Sequence, residues 1–161
     1  MAVPFNADEV FTMAEEIERN GAKFYRGAAE KFPDLGPVFE DLAGMEDNHL
    51  KVFRQMHSEL SGKESQPMTF DPDAEAEAYL QTMADGQVFD LRADPSEKLG
   101  DLEDAVDVLK MALGVERDSI AFYVGIKDGV SAKAGKDKVD AIIKEEIGHI
   151  AVLNEKLTAL R

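Results

Sequence analysis

Apolar residues recur at intervals of three and four through four long segments of the chain, the spacing that lines them up along one face of an α-helix. Ala14, Gly21 and Tyr25 mark this face in the first segment, and Phe39, Leu42, Ala43, Leu50 and Phe53 in the second. Leu109, Ala112, Leu113 and Tyr123 mark the third, and Val139, Ile142, Ile143, Ile150 and Leu153 the fourth. The pattern therefore predicts four helices, each with a face to bury.

The punctuation agrees. The first helix is predicted over about 7–31, with Asn6 to cap its free amides, Glu9 at the capping-box position and Pro33 to end it. The second opens at Pro37 and runs to about Leu60, with Gly62 as a C-terminal cap. The third spans about 101–127 and ends at Asp128-Gly129, and the fourth about 137–160. Short gaps join the first helix to the second and the third to the fourth, so each pair should form an antiparallel hairpin. Between the pairs lies a connection of about 63–100, with Pro67, Pro72, Gly86 and Pro95 and one short helical candidate at 73–84. A crossover of that length lets the second and third helices run parallel. The expected fold is all-α: a ferritin-like four-helix bundle of two antiparallel hairpins, forming one domain over 1–161. The competing arrangement is a simple up-down bundle with an unstructured insertion.

Each apolar face is broken by an acid. Glu18, Glu46, Glu116 and Glu146 all stand among the apolar neighbours named above, where an isolated ionised carboxylate costs several kcal/mol, of order the desolvation penalty of a buried ion. The interruption is also duplicated. Glu18 precedes Phe24-Tyr25 as Glu116 precedes Phe122-Tyr123, and Glu46-Asp47-Asn48-His49 returns as Glu146-Ile147-Gly148-His149. Glu-x-x-His places both side chains one turn apart on one helix face. Four carboxylates and two imidazoles on four helices match the donors that a pair of metal ions needs inside a bundle, and four negative charges balance two divalent cations. Carboxylate mixed with imidazole suits iron or manganese and also accepts zinc. Tyr25 and Tyr123, two turns beyond their glutamates, are core aromatics whose hydroxyls could hold a ligand carboxylate in place. His57 lacks an acid three residues before it, where Arg54 stands, and is expected at the surface near its helix end. Glu15 and Glu145 are expected at helix edges.

Composition narrows the function further. With 33 acids against 18 bases the formal charge is −15, a field that repels nucleic acid and anionic membranes and attracts cations. The chain contains no cysteine, which excludes disulfides, zinc ribbons and rubredoxin-type iron sites. It shows neither a signal-peptide pattern nor an apolar run long enough to span a membrane, and a cytoplasmic location is expected. Val108, Met111 and Val115 form a second apolar stripe beside Leu109 and Leu113, from which a homodimer is expected.

On the six donors, the repeated Glu-to-Phe-Tyr phrase and the long crossover, the chain resembles the rubrerythrin-like branch of the ferritin-like superfamily over all four helices. The resemblance implies two iron ions per chain, with Glu18, Glu46 and His49 serving one and Glu116, Glu146 and His149 the other. It implies that Glu46 and Glu146 bridge the pair while Glu18 and Glu116 are terminal. The function it implies is a non-haem di-iron oxidoreductase that reduces peroxide or dioxygen; ferroxidase-type iron storage and a non-catalytic metal-binding bundle are the alternatives. Two features depart from the family. Full-length rubrerythrins carry a cysteine-ligated rubredoxin domain, so here an external electron donor is required. The family's further glutamate, one turn after the third-helix ligand, is replaced by Ser119.

Overall fold

The computed structural model describes residues 7–60, 78, 79, 82, 94–127 and 135–160. Four long helices carry the architecture: α1 (Ala7–Lys31), α2 (Gly36–Ser58), α3 (Ala105–Lys127) and α4 (Lys136–Ala159). Short 3₁₀ helices at Pro33–Leu35 and Pro95–Asp101 lead into α2 and toward α3. Among the described residues none forms a strand, and no helix is long and apolar enough to cross a membrane.

Side-chain contacts fix the helix directions. Arg26 pairs with Asp47 and His57 with Asp8, so α1 and α2 are antiparallel. Tyr25 reaches Glu116 and Tyr123 reaches Glu18, so α1 and α3 are antiparallel as well. It follows that α2 and α3 run parallel, as a long crossover permits and a simple up-down bundle does not. Lys127 beside Asp140, together with Glu116 beside His149, makes α3 and α4 antiparallel in turn. The fold is a ferritin-like four-helix bundle.

The core has three layers along the bundle axis. At one end Phe11, Phe53, Phe122, Ile126, Val139 and Ile142 pack together. At the other end Phe24, Phe39, Leu42, Leu109, Leu153 and Leu157 do the same. Between them lie Glu18, Glu46, His49, Glu116, Glu146 and His149, each at most 3% exposed. Every helix contributes to all three layers, so two apolar plugs enclose a charged middle. The end of the crossover is tied down where Lys31 donates to the Leu99 carbonyl at 2.5 Å and Leu99 packs over Gly27, whose missing Cβ would otherwise lie 2.6 Å from it.

Several expectations shift. α3 begins at Ala105 rather than Asp101, because the 3₁₀ turn takes up Asp101 and Asp104 caps the helix by accepting from the Asp107 amide at 2.9 Å. α2 ends at Ser58, with Glu59 closing its last turn. Val108 is fully buried within the bundle, so it cannot belong to an outer stripe for a second subunit; Met111 and Val115 are only partly covered. The expected caps at Asn6 and Gly62, the Asp128-Gly129 stop and most of the short helical candidate at 73–84 lie outside the described residues.

Candidate metal centre

Each helix delivers its donors from the level where its apolar face crosses the middle layer. α1 supplies Glu18, α2 supplies Glu46 and His49, α3 supplies Glu116, and α4 supplies Glu146 and His149. All six residues singled out by spacing meet in one buried cluster. The cluster resolves into two overlapping groups, Glu18, Glu46, His49 and Glu146 on one side and Glu46, Glu116, Glu146 and His149 on the other. Donor atoms within each group lie within 4.8 Å of one another, and Glu46 and Glu146 are common to both.

Both histidines face the acids through Nδ1. His49 Nδ1 lies 3.2 Å from Glu146 Oε1 and 3.4 Å from Glu18 Oε2. His149 Nδ1 lies 3.0 Å from Glu146 Oε2 and 3.3 Å from both Glu46 Oε1 and Glu116 Oε1. The two rings stack with centroids 5.7 Å apart. These approaches lack the alignment of hydrogen bonds: Glu18 Oε2, Glu46 Oε1, both Glu146 oxygens, His49 Nδ1 and both His149 nitrogens are buried without a hydrogen-bond partner. Such orphaned groups are rare and costly in a folded core. Six of them are carboxylate oxygens or Nδ1 atoms converging on one volume, which is the donor set that a pair of transition-metal ions would satisfy. The residues therefore fit such a group.

Electrostatics describe the same strain. Burial, then Glu18 and Glu146, hold the Glu46 carboxyl well above its usual range. Burial pushes Glu116 up to about 8, with Glu146 adding and His149 opposing. Burial disfavours charge on both histidines, yet Glu146 and Glu18 lift His49 to about 11, and Glu116 and Glu146 lift His149 to about 9. Glu146 is held below the ordinary carboxylate range despite its burial, because His149 and His49 flank it. Protons and imidazolium charges thus balance the cluster where cations would.

The tyrosines cross over. Tyr25 of α1 donates to Glu116 of α3, and Tyr123 of α3 donates to Glu18 of α1. Burial first, and these glutamates next, keep both phenols protonated and therefore donors. Each hydroxyl orients a glutamate of the opposite half. Gly21 gives room on the α1 side, where an added Cβ would stand 3.1 Å from Glu46 Oε2. Ser119 is buried at the corresponding level of α3, its hydroxyl donating to the Val115 carbonyl at 3.0 Å.

Two acids near the cluster have defined partners. Glu145 Oε2 accepts from His49 Nε2 at 2.7 Å while half exposed, a contact its helix-edge position does not announce. Glu15 meets His57 Nδ1 at 2.7 Å, and Asp8 meets His57 Nε2 at the same distance. His57 does sit near the end of α2, but as a clamp onto α1 and away from the cluster. Its bond to Asp8 raises its pKa, burial opposes, and Glu15 adds to the rise. A histidine raised in the folded state stabilises fully below its unfolded value of about 6.5, and that stability is lost as pH rises through the folded value. His57→Gln should therefore lower the melting temperature more near pH 6 than near pH 9. Equal losses at both would show that the clamp does not depend on charge.

The sequence model of the Rubrerythrin family matches residues 9–157. A crystal structure from Thermotoga maritima, of a protein provisionally described as a ferritin-like diiron-carboxylate protein, superimposes with a TM-score of 0.71 at 24% identity, covering 100% of both chains. At that identity the likeness speaks for the fold. No curated protein matches the chain significantly. With the family match reaching from the first turn of α1 almost to the end of α4, and so through every element that feeds the cluster, the chain belongs to the rubrerythrin family.

Proposed function

We propose that this protein is a non-haem di-iron oxidoreductase, holding two iron ions per chain and reducing peroxide or dioxygen with electrons from an external donor. The observation that carries the reading is the set of buried, unpartnered carboxylate and Nδ1 atoms in two groups that share two glutamates. Glu18 and His49 would hold one ion, Glu116 and His149 the other, with Glu46 and Glu146 bridging. A bound iron pair would supply redox chemistry and charge stabilisation at two adjacent oxygen atoms.

The chain's own residues prepare the centre for that chemistry. Tyr25 and Tyr123 fix the terminal carboxylates, leaving one oxygen of Glu18 free toward His49. The two apolar layers keep bulk water from the cluster along the bundle axis. Without cysteine, these 161 residues hold no rubredoxin-type site to relay electrons. Ser119 is engaged with the helix backbone and offers no additional carboxylate to the site.

The deciding experiment loads ferrous iron anaerobically, then adds peroxide or dioxygen separately with an added chemical reductant, following absorbance and oxidant consumption. Repeated consumption of peroxide or dioxygen, at two irons per chain, is the expected result. A single stoichiometric oxidation would make the protein a metal carrier. Iron uptake far beyond two per chain would make it a storage protein.

A further inference from the structure

The two halves of the cluster repeat in sequence but differ in how their histidines are held. His49 has a carboxylate behind it: Glu145 Oε2 lies 2.7 Å from Nε2, on the side of the ring away from Nδ1. His149 has none, and its Nε2 is buried without a partner. The repeat accounts for the difference. Glu145 immediately precedes Glu146 on α4, whereas Met45 precedes Glu46 on α2, so the corresponding position of the repeat carries a side chain with no proton acceptor comparable to a carboxylate.

We infer that Glu145 is a positioning residue that makes the His49 subsite the tighter of two unequal metal sites, leaving the His149 subsite as the weaker and more exchangeable one. The inference deepens the di-metal reading and rests on it. A carboxylate accepting from Nε2–H fixes which nitrogen keeps its proton, so that when a metal ion takes the place of the other proton the Nδ1 lone pair is aimed at the space between Glu18 and Glu146, and it raises the basicity of that nitrogen. Glu145 also restrains ring rotation, which the unbonded His149 ring must pay for when a metal binds. The side chain of Glu145 is 52% exposed while that of His49 is 2% exposed, so the bond links the buried subsite to the surface. Replacing Glu145 should accordingly leave the fold intact.

The test uses the full chain and the substitution Glu145→Met, which gives α4 the residue α2 carries, with Glu145→Gln as the variant that keeps an acceptor. In anaerobic ferrous titrations the wild type should bind two ions in two resolved steps. Glu145→Met should weaken the tighter step by about 10–100-fold, the usual loss on removing a partner behind a metal-bound histidine, and leave the other step unchanged. Glu145→Gln should recover part of the loss. Long-range proton–nitrogen NMR of the zinc-loaded protein should show His49 protonated at Nε2, with that resonance moved in Glu145→Met and the His149 signals in place. Two steps that weaken equally, or neither, with His49 unshifted, would overturn the role of Glu145. A wild type that fails to bind two ions would instead overturn the di-metal reading itself.

Discussion

Glu146→Gln should strongly weaken binding of both metal ions and also destabilise the metal-free protein, whereas Glu46→Gln should weaken metal binding to a similar degree while leaving the metal-free protein as stable or more so. The two glutamates occupy equivalent places in the repeat and are shared by both donor groups, yet their charge states differ. Glu146 is held ionised between the two imidazoles, its oxygens 3.2 Å and 3.0 Å from them. Removing its charge leaves two buried cationic rings facing each other, and breaking a buried ion pair from one side costs about 3–5 kcal/mol. Glu46 is driven toward its protonated form by burial and by Glu18, Glu146 and Glu116. A glutamine there keeps the shape of a carboxyl that burial and its neighbours already push toward neutrality, so the metal-free fold loses little charge interaction. With metal present both variants lack a bridging carboxylate, and each should lose at least about 100-fold in affinity, beyond the loss expected for an outer partner. Melting curves in chelator, paired with iron titrations, check both signs. If the two metal-free variants melt alike, the assignment of charge to Glu146 is wrong.

The bundle and the gathering of six side chains in its middle are legible because they depend on two regularities that a sequence displays directly. Apolar residues repeating at helical spacing mark the buried faces, and an acid on such a face calls for a partner. What spacing could not show depends on neighbours from other helices. Tyr25 and Tyr123 share a face with Glu18 and Glu116 of their own helices, but antiparallel packing of α1 on α3 brings each to the other's glutamate. Glu145 lies at a helix edge as its position implies; its bond to His49 exists only because α4 packs against α2. A comparison of the two halves residue by residue, Met45 against Glu145, would have flagged the asymmetry without showing its partner. Val108 looked available for a second subunit because its stripe adjoins that of Leu109, but a helix in this bundle buries a face wide enough to include both. The start of α3 was misplaced for a local reason: Asp101 and Asp104 are both suitable caps, and the 3₁₀ turn after Pro95 uses up the first.

Metal loading should release about three protons per chain at neutral pH, from His49, His149 and Glu116, and apparent affinity should climb steeply between about pH 6 and 8 and less steeply above about pH 9, where His49 still holds its proton. In the metal-free cluster His49, with a pKa of about 11, and His149, at about 9, are both protonated at neutrality. Glu116, at about 8, carries a proton over most of that range, and Glu46 is raised well above its usual value. Each of these groups must be deprotonated to bind a cation. Every released proton contributes a factor of about ten per pH unit to the overall constant, so three released together make the two-ion constant rise by about 10³ per unit. As pH passes through the values of Glu116 and then His149, those protons have already left, fewer are released, and the slope falls. The loaded form should also melt higher than the metal-free form, by about 2.7 kcal/mol of stability per site when free metal exceeds the dissociation constant 100-fold. Zinc titrations in weak buffer with a pH indicator, repeated across this range, measure the proton count directly, and zinc avoids oxidation during the titration. Release of at most one proton per chain at pH 7 would mean that the acids and histidines are not charged as the geometry requires, and affinity would then be nearly flat with pH.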